Sequence, residues 1–157
     1  MDLETAVIYE PVCDIPKKIY RDFLVETGVS VALDDKLKKC DTNILVLENS
    51  IPIGFVAAQR VCEGLEVYGL YVVESFRNNG LGKELLRKLV ENAKKDSIKD
   101  IFGKNLNLSS RRIFAQLKDE FSESEELEVD WNYSYDLSGY EWLNCHIELN
   151  RNSQTTK

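Results

Sequence analysis

The residues best suited to chemistry lie between Leu70 and Lys83, where the chain reads LYVVESFRNNGLGK. An apolar run ends in a polar loop, and Arg77 stands three residues before the first of two closely spaced glycines, Gly80 and Gly82. An amphipathic pattern follows, so the segment predicts a strand, a loop and the start of a helix. The first N–H groups of a helix lack intrahelical partners, and glycines let a ligand approach the backbone closely. The segment therefore predicts a phosphate-binding site at a helix N-terminus.

Two common glycine-rich motifs do not match these residues. The dinucleotide fingerprint Gly-x-Gly-x-x-Gly needs a glycine three positions after Gly82, where the chain has Leu85. The phosphate loop Gly-x-x-x-x-Gly-Lys-Ser/Thr fails because Glu84 follows Lys83, and because no glycine stands five positions before Gly82. Neither a dinucleotide site nor a nucleoside-triphosphate site is therefore predicted.

The pattern that does fit is Arg/Gln-x-x-Gly-x-Gly/Ala. On Arg77, Gly80 and Gly82 the chain resembles the GNAT family of N-acetyltransferases, in which this loop binds the pyrophosphate of acetyl-coenzyme A (acetyl-CoA). The resemblance implies that backbone groups of the preceding strand hold the thioester and that those of the loop hold the pyrophosphate. The acyl-donor site implied in this way comprises Leu70, Tyr71, Val72, Arg77, Asn78, Asn79, Gly80, Leu81, Gly82 and Lys83.

Acetyl transfer to an amine also needs a base that removes a proton from the amine. Glu66 lies six residues before Val72 on the same predicted strand, and side chains at even spacing share one face of a strand. Several family members use a glutamate at this offset as the base, so the resemblance makes Glu66 the predicted base. A solvated residue at the end of a strand is the alternative interpretation. Tyr68, on the same face, is the second predicted catalytic residue because a phenol can relay a proton.

The general acid departs from the family pattern. Many relatives have an asparagine after the fifth strand, a small residue three positions later, and a tyrosine seven positions later that protonates the thiolate. Asn107 and Ser110 match, and Asn107 is predicted to hydrogen-bond the pantetheine arm, but Phe114 replaces the tyrosine. Three interpretations remain. The family pattern aligns one helical turn away, or another group such as a tyrosine of the hairpin serves as the acid, or catalysis is weak or lost. Activity is compatible with Phe114, because a thiol pKa of about 8–9 makes the thiolate a fair leaving group.

Hydrophobic patterning predicts the elements that must position these residues. In order, the chain reads as a strand, two helices, three strands, a helix, a strand, a helix and a hairpin. The resemblance implies an α/β (α+β) fold, with a mixed, mostly antiparallel central sheet flanked by helices and a C-terminal β-hairpin. Residues 1–150 are expected to form a single domain, followed by a polar tail over residues 151–157. The expected strands are Ala6–Tyr9, Ile44–Leu47, Ile53–Val61, Leu65–Val73 and Ile98–Gly103; the expected helices are one capped by Asp14 and ended by Gly28, Asp34–Lys39, Leu81–Lys94 and Ser109–Leu117; the expected hairpin is Leu127–Leu149.

Composition narrows the partners and the compartment. The net charge of −7 argues against nonspecific nucleic-acid binding and suits a cationic amine acceptor. The cysteines are scattered without metal-binding or redox spacing, so no metal site is expected. The sequence contains no apolar run long enough to span a membrane, and its acidic start is unlike a signal peptide. A cytoplasmic protein without a membrane partner is therefore expected.

The sequence as a whole predicts an enzyme that transfers an acetyl group from acetyl-CoA to a primary amine by direct attack in a ternary complex. A GNAT-fold module that binds the acyl donor with little or no turnover is the alternative, and a longer acyl-CoA remains open as the donor. The aromatic residues of the hairpin line an acceptor pocket or form a second hydrophobic layer or a homodimer seam; they are Trp131, Tyr133, Tyr135, Tyr140 and Trp142. His146, the single histidine, is expected to be structural.

Overall fold

A computed structural model describes residues 7–28, 31–62, 64–103, 108–121, 127–135 and 141–149. For the C-terminal hairpin, the description is mainly of the backbone. The described strands are β1 Val7–Val12, β2 Thr42–Glu48, β3 Ile51–Val61, β4 Gly64–Val72, β5 Asp100–Gly103, β6 Leu127–Tyr135 and β7 Glu141–Leu149, and the described helices are α1 Lys17–Thr27, α2 Val31–Lys38, α3 Leu81–Lys95 and α4 Leu108–Phe121. A short 3₁₀ turn, Glu74–Phe76, lies between β4 and α3.

The strands form one mixed sheet. Their spatial order is β1-β2-β3-β4-β5-β7-β6, and only β4 and β5 run parallel among the neighbouring pairs described. β6 and β7 form the C-terminal hairpin, whose pairing runs from Leu127 opposite Leu149 to Tyr135 opposite Glu141. The expected mixed, mostly antiparallel sheet with flanking helices and a terminal hairpin is therefore confirmed. The expected hairpin turn lies outside the described residues.

Helices cover both faces of the sheet. On one face, Leu85 and Leu89 of α3 and Leu117 of α4 are buried against the strands. On the other face, Phe23 of α1 and Leu37 of α2 are buried. The apolar stripe of α3 matches the 3.6-residue period that the sequence predicted. Because the sheet is covered on both sides, β4 is largely buried and so is the middle of β3, residues 53–58.

The first two helices differ from the sequence expectation at their starts. α1 begins at Lys17, and its N-cap position is occupied by Pro16 without a side-chain cap, so the prediction that Asp14 caps it is wrong. Proline fixes φ near −65° and lacks an N–H, which suits the boundary between an extended segment and a helix. Gly28 ends α1 in the left-handed conformation (φ +61°), as predicted. α2 begins three residues earlier than expected, at Val31.

Strand β4 contains a β-bulge. Across the β3–β4 pair, Ala57 lies opposite Gly69 and Ala58 lies opposite Val67, which leaves Tyr68 as the extra residue of β4. One extra residue shifts the alternation of side chains by one position. Residues before and after the bulge that are an even number apart therefore point to opposite faces of the sheet.

The pairing of β4 with β5 ends before the bulge, at Val67 opposite Gly103, the last residue of β5. The pairing of β5 with β4 covers Gly64–Val67, and within the described residues it does not continue along the second half of β4. The edge of β4 that faces away from β3 is therefore not covered by β5 after Val67. The second half of β4 leads directly to the loop before α3.

The buried side chain of Asn43, near the start of β2, is expected to stabilise the packing of β2 against its neighbours. Its side chain is 2% exposed; Nδ2 donates to the carbonyl oxygens of Cys13 (2.9 Å) and Cys40 (3.3 Å), and Oδ1 accepts from the Ala58 N–H (3.3 Å). Asn43→Ala leaves these buried groups unpaired, so we expect a loss of about 3 kcal/mol in the free energy of unfolding, measured by urea denaturation. The control Thr42→Ala, whose exposed hydroxyl bonds only Asp41 among the bonds described for it, should change stability by less than about 0.5 kcal/mol.

Candidate functional site

The second half of β4, the following loop and the first turn of α3 line a cavity of about 880 Å³. The end of α1 and one side of α4 complete its wall. The lining residues are Glu26, Thr27, Leu70, Tyr71, Val72, Phe76, Arg77, Asn78, Gly80, Leu81, Gly82, Lys83, Arg112, Ile113, Gln116 and Asp119. The cavity therefore extends from the second half of β4 to the N-terminus of α3.

The loop before α3 has the backbone of a tight turn. Asn78 and Gly80 both adopt left-handed conformations, with φ of +67° and +78°. Gly80 is the N-cap of α3 and, lacking a side chain, leaves the first N–H groups of the helix open to a ligand. An anion placed there meets unpaired donors and the positive end of the helix dipole.

Gly82 lets α3 approach α4 closely. A Cβ atom at this position would lie 2.7 Å from Cδ1 of Ile113 in α4, which is closer than van der Waals contact allows. Gly82 is buried in the first turn of α3 and lines the cavity. The two glycines therefore have different roles, since Gly80 supplies the turn and Gly82 supplies the contact between the helices.

The free edge of β4 presents backbone donors to the cavity. The Val73 N–H donates to the Ile53 carbonyl oxygen on the β3 side, at 2.9 Å. Because successive N–H groups of a strand point to opposite edges, the N–H groups of Val72 and Leu70 point away from β3. That edge is the one that β5 leaves uncovered, and both residues line the cavity. The Tyr71 N–H points the other way, towards β3.

Arg77 joins the loop to β4 and to α1. Its Nε donates to the Val72 carbonyl oxygen (2.7 Å), its Nη2 contacts Oε2 of Glu26 (2.5 Å), and its guanidinium lies 5.6 Å from the centre of the Tyr71 ring. Oε1 of Glu26 accepts a hydrogen bond from the Tyr71 hydroxyl (2.9 Å). The bond from Arg77 is the main reason why the pKa of Glu26 lies below its usual value. Burial, reinforced by the bond to Glu26, raises the pKa of Tyr71 to about 12.

Glu66 lies on the opposite face of the sheet from Val72. Leu65 and Val67 pack with α3, so Glu66 between them points towards α1 and α2. Val72 packs with α3, and the prediction that Glu66 and Val72 share a face is therefore wrong. The bulge at Tyr68 lies between them and reverses the alternation.

Tyr68 and Glu66 do lie on one face, and they touch. The Tyr68 hydroxyl donates a hydrogen bond to Oε1 of Glu66, and the Tyr68 ring is buried against α1 and α2. Burial and this hydrogen bond raise the pKa of Tyr68, which keeps the phenol protonated as a donor. Neither residue lines the cavity described above, and the pair lies on the face of the sheet that α1 and α2 cover.

On α4 the structure places Phe114 in the core. Its side chain is fully buried with α3 and does not line the cavity. Arg112, Gln116 and Asp119, at helical spacing, line the cavity instead, and none of the three was among the predicted site residues. Their shared helical face was the signal available in the sequence.

The other residues of the predicted acyl-donor site differ in whether they line the cavity. Lys83 lines the cavity, whereas the Asn79 side chain donates to the Phe76 carbonyl oxygen (3.2 Å) and does not line it. Asn107 lies outside the described residues. Glu26 and Thr27 were missed, because their contact with the loop joins positions about fifty residues apart in the chain.

The described residues contain neither a group of side chains suited to a metal ion nor a helix suited to crossing a membrane. No group of three or more His, Cys, Asp or Glu residues that could hold a metal ion is found in the described ranges. Likewise, no described helix has both the length and the apolar character needed to cross a membrane.

The sequence matches the model of one protein family. The model of the acetyltransferase (GNAT) family matches residues 9–118, which include the loop, β4 and most of α4. No curated protein sequence matches the chain.

Several solved structures share the fold. One is a Bacillus subtilis acetyltransferase in complex with CoA (TM-score 0.71, 14% identity, 92% of this chain and 100% of that chain). Another is the diaminobutyrate acetyltransferase of Paenibacillus lautus in complex with L-2,4-diaminobutyric acid and coenzyme A (TM-score 0.68, 19% identity, 92% and 96%). A third is a GNAT-family acetyltransferase of Elizabethkingia anophelis with acetyl-CoA bound (TM-score 0.64, 20% identity, 91% and 98%). At these identities, the likeness shows a common fold.

Proposed function

The chain belongs to the acetyltransferase (GNAT) family, and from this premise we propose that it transfers the acetyl group of acetyl-CoA to a primary amine by direct attack in a ternary complex. One observation carries the proposal. The free edge of β4 and the open N-terminus of α3 meet in one cavity of about 880 Å³, which suits a ligand with a carbonyl group at one end and phosphates at the other.

The residues of the cavity fit the acyl donor. The left-handed Gly80 and the uncapped first turn of α3 form a concave set of N–H donors of the kind that binds phosphate. Lys83 and Arg112 add positive charge to the same wall. Acetyl-CoA supplies the acetyl group as a thioester, which is activated towards attack by an amine. We therefore assign the loop and Lys83 to the pyrophosphate.

The backbone of β4 polarises the carbonyl in this proposal. The N–H groups of Leu70 and Val72 point to the free edge, where they can donate to the acetyl carbonyl oxygen and to the pantetheine arm. Such donors are fixed by the strand, so they need no rearrangement during the reaction. The end of the β4–β5 pairing at Val67 and the bulge at Tyr68 support this role, because β5 itself does not pair with the second half of β4.

Glu66 acts as the base in this proposal, with Tyr68 beside it. The Glu66 carboxylate accepts the proton of the attacking amine, directly or through water, and the Tyr68 hydroxyl orients the carboxylate. Because Phe114 is a buried phenyl group, the departing thiolate takes its proton from solvent. An acceptor with a positive charge suits the carboxylates Glu66 and Asp34 on this side of the sheet and the acidic net charge.

A binding module with little turnover is the second candidate function. The observation that favours it is the position of Phe114, which fills the core where many relatives place a proton donor. Such a module would bind the acyl donor in the cavity but would catalyse acetyl transfer slowly or not at all.

Thermal melting and thiol release separate these functions. Acetyl-CoA at millimolar concentration should raise the melting temperature, since it binds only the folded state. Thiol release should then appear with at least one member of a panel of primary amines that includes diamines, amino acids and basic peptides. A thermal shift without any thiol release would favour the binding module. The absence of any thermal shift would contradict both functions.

A further inference from the structure

A primary amine of the chain itself lies against Tyr68, the residue that hydrogen-bonds the predicted base. The Lys36 ammonium group is 5.3 Å from the centre of the Tyr68 ring, and the Tyr68 hydroxyl donates to Glu66. Lys36 belongs to the last turn of α2 and its residue is exposed to solvent. The contact is a cation–π interaction, in which the ring face attracts the ammonium group. An amine on α2 therefore already occupies the side of β4 on which the acceptor is proposed to bind.

Helix α2 is held firmly against the bulge. Leu37, the next residue, is buried, and its Cδ2 lies 3.0 Å from the Cβ position that a side chain at Gly69 would occupy. The buried Cys40 thiol donates to the Lys36 carbonyl oxygen at 3.4 Å. The backbone of Lys36 is therefore fixed while its side chain keeps a four-carbon reach.

The neighbouring lysines of α2 are placed differently. Lys38 forms an ion pair with Asp34 (3.2 Å), whereas Lys36 forms no ion pair with any described carboxylate. Lys39 is exposed just after the helix ends. Among these three amines, Lys36 is the one in contact with the Tyr68–Glu66 pair.

We propose that Lys36 is an internal acceptor and that the chain acetylates its own Lys36 side chain; this inference rests on the proposed function. One ammonium proton passes to Glu66, and the freed Nζ attacks the acetyl carbon to form the N–C bond. The nitrogen then loses a second proton to water as the C–S bond breaks, which leaves the neutral amide. The thiolate leaves with the electron pair of that bond and takes a proton from solvent. The products are N-acetyl-Lys36 and coenzyme A, and no oxidant or further reactant is needed.

The modification would change the acceptor side of the site. N-acetyl-lysine has no charge, so the cation–π contact with Tyr68 is lost. The longer, neutral side chain also stays on the same side of β4 as Tyr68. We therefore expect the acetylated protein to release thiol more slowly with external amines than the unmodified protein.

Site-resolved mass spectrometry of the full chain incubated with acetyl-CoA tests this inference. We expect Lys36 to be acetylated at least about tenfold faster than Lys38 or Lys39, because proximity makes the step unimolecular. The rate constant should not depend on protein concentration. Lys36→Arg should abolish the modification, and the matched control Lys39→Arg on the same stretch should leave it unchanged.

Two further variants link the modification to the predicted base. Glu66→Gln should slow acetylation of Lys36 by about 100-fold and leave the slow background at Lys39 unchanged. Tyr68→Phe keeps the ring under the ammonium group and removes the hydroxyl, which provides a second variant if Glu66→Gln does not fold. Acetylation of Lys36 at the background rate, or at a rate that both variants leave unchanged, would overturn the inference.

Failure of this inference is distinguishable from failure of the proposed function. The same protein samples are assayed for thermal shift with acetyl-CoA and for thiol release with external amines. If both assays are positive while Lys36 stays unmodified, the self-acetylation is wrong and the proposed function stands. If acetyl-CoA causes no thermal shift, both are wrong.

Discussion

Gly80→Glu should weaken acetyl-CoA binding by at least about 100-fold. Gly80 is the N-cap of α3, and an ideal Cβ built there meets no atom within 4 Å, so a glutamate side chain fits but directs a carboxylate into the proposed phosphate site. Two like charges about 5 Å apart at an effective dielectric constant of about 20 repel by roughly 3 kcal/mol, which is about 100-fold in affinity. Isothermal titration with acetyl-CoA measures the loss.

Gly28 supplies a matched control for backbone strain. It adopts φ +61°, close to the +78° of Gly80, and an ideal Cβ there also meets no atom within 4 Å. Gly28→Ala and Gly80→Ala should therefore each cost about 1 kcal/mol of stability. Neither substitution should change acetyl-CoA affinity by more than about threefold, which is under about 0.7 kcal/mol of binding free energy. If Gly80→Glu binds acetyl-CoA as well as Gly80→Ala does, the loop does not hold the pyrophosphate.

Glu66→Gln should lower kcat by about 100-fold with an external amine. The amide keeps the shape of the side chain and can still accept the Tyr68 hydrogen bond, but it cannot take up the proton of the attacking amine. The limb of the pH–rate profile that reports ionisation of the base should disappear with it. The KM for acetyl-CoA should stay within about threefold, because Glu66 does not line the donor cavity.

Glu48→Gln is the control for the loss of one negative charge. Glu48 ends β2, where it pairs with Val7 of β1 and Ile51 of β3, and it lies outside the proposed site. The Glu48→Gln variant should show the kcat and the pH–rate profile of the parent protein. A Glu66→Gln variant with those same properties would assign the base to another group.

The bulge at Tyr68 shows why one spacing rule held for one pair of residues and failed for another. The spacing of Glu66 and Tyr68 placed them on one face, and the hydrogen bond between them agrees. The same rule failed for Glu66 and Val72, because a bulge adds one residue to β4 and not to β3. No residue type at Tyr68 signals a bulge, since the bulge depends on how β3 and β4 register against each other.

Phe114 illustrates a different limit. The sequence established that no phenol stands at this position, and it left three interpretations open. Only the packing of α4 on α3 shows that the side chain is fully buried, while Arg112 and Gln116 face the cavity. Which side of a helix is buried depends on the neighbours that it meets, and those lie elsewhere in the chain.

The sequence by itself determined the features that depend on local spacing. The loop Arg77-x-x-Gly80-x-Gly82, the apolar stripe of α3 and the order of the elements follow from backbone preferences and from periodicity within a few residues. These features predicted a phosphate-binding site at the start of α3, and the family resemblance carried by the loop implied the mixed sheet. The physical reason is that turn conformation and helix amphipathicity are set by adjacent residues.

Tertiary structure alone decided which of these residues meet. The contact between Arg77 and Glu26 spans 51 positions, and the contact of Lys36 with the Tyr68 ring joins α2 to β4. The face on which Glu66 lies depends on the register of two paired strands. Such contacts form when distant segments pack together to bury apolar surface, so no spacing within one segment encodes them.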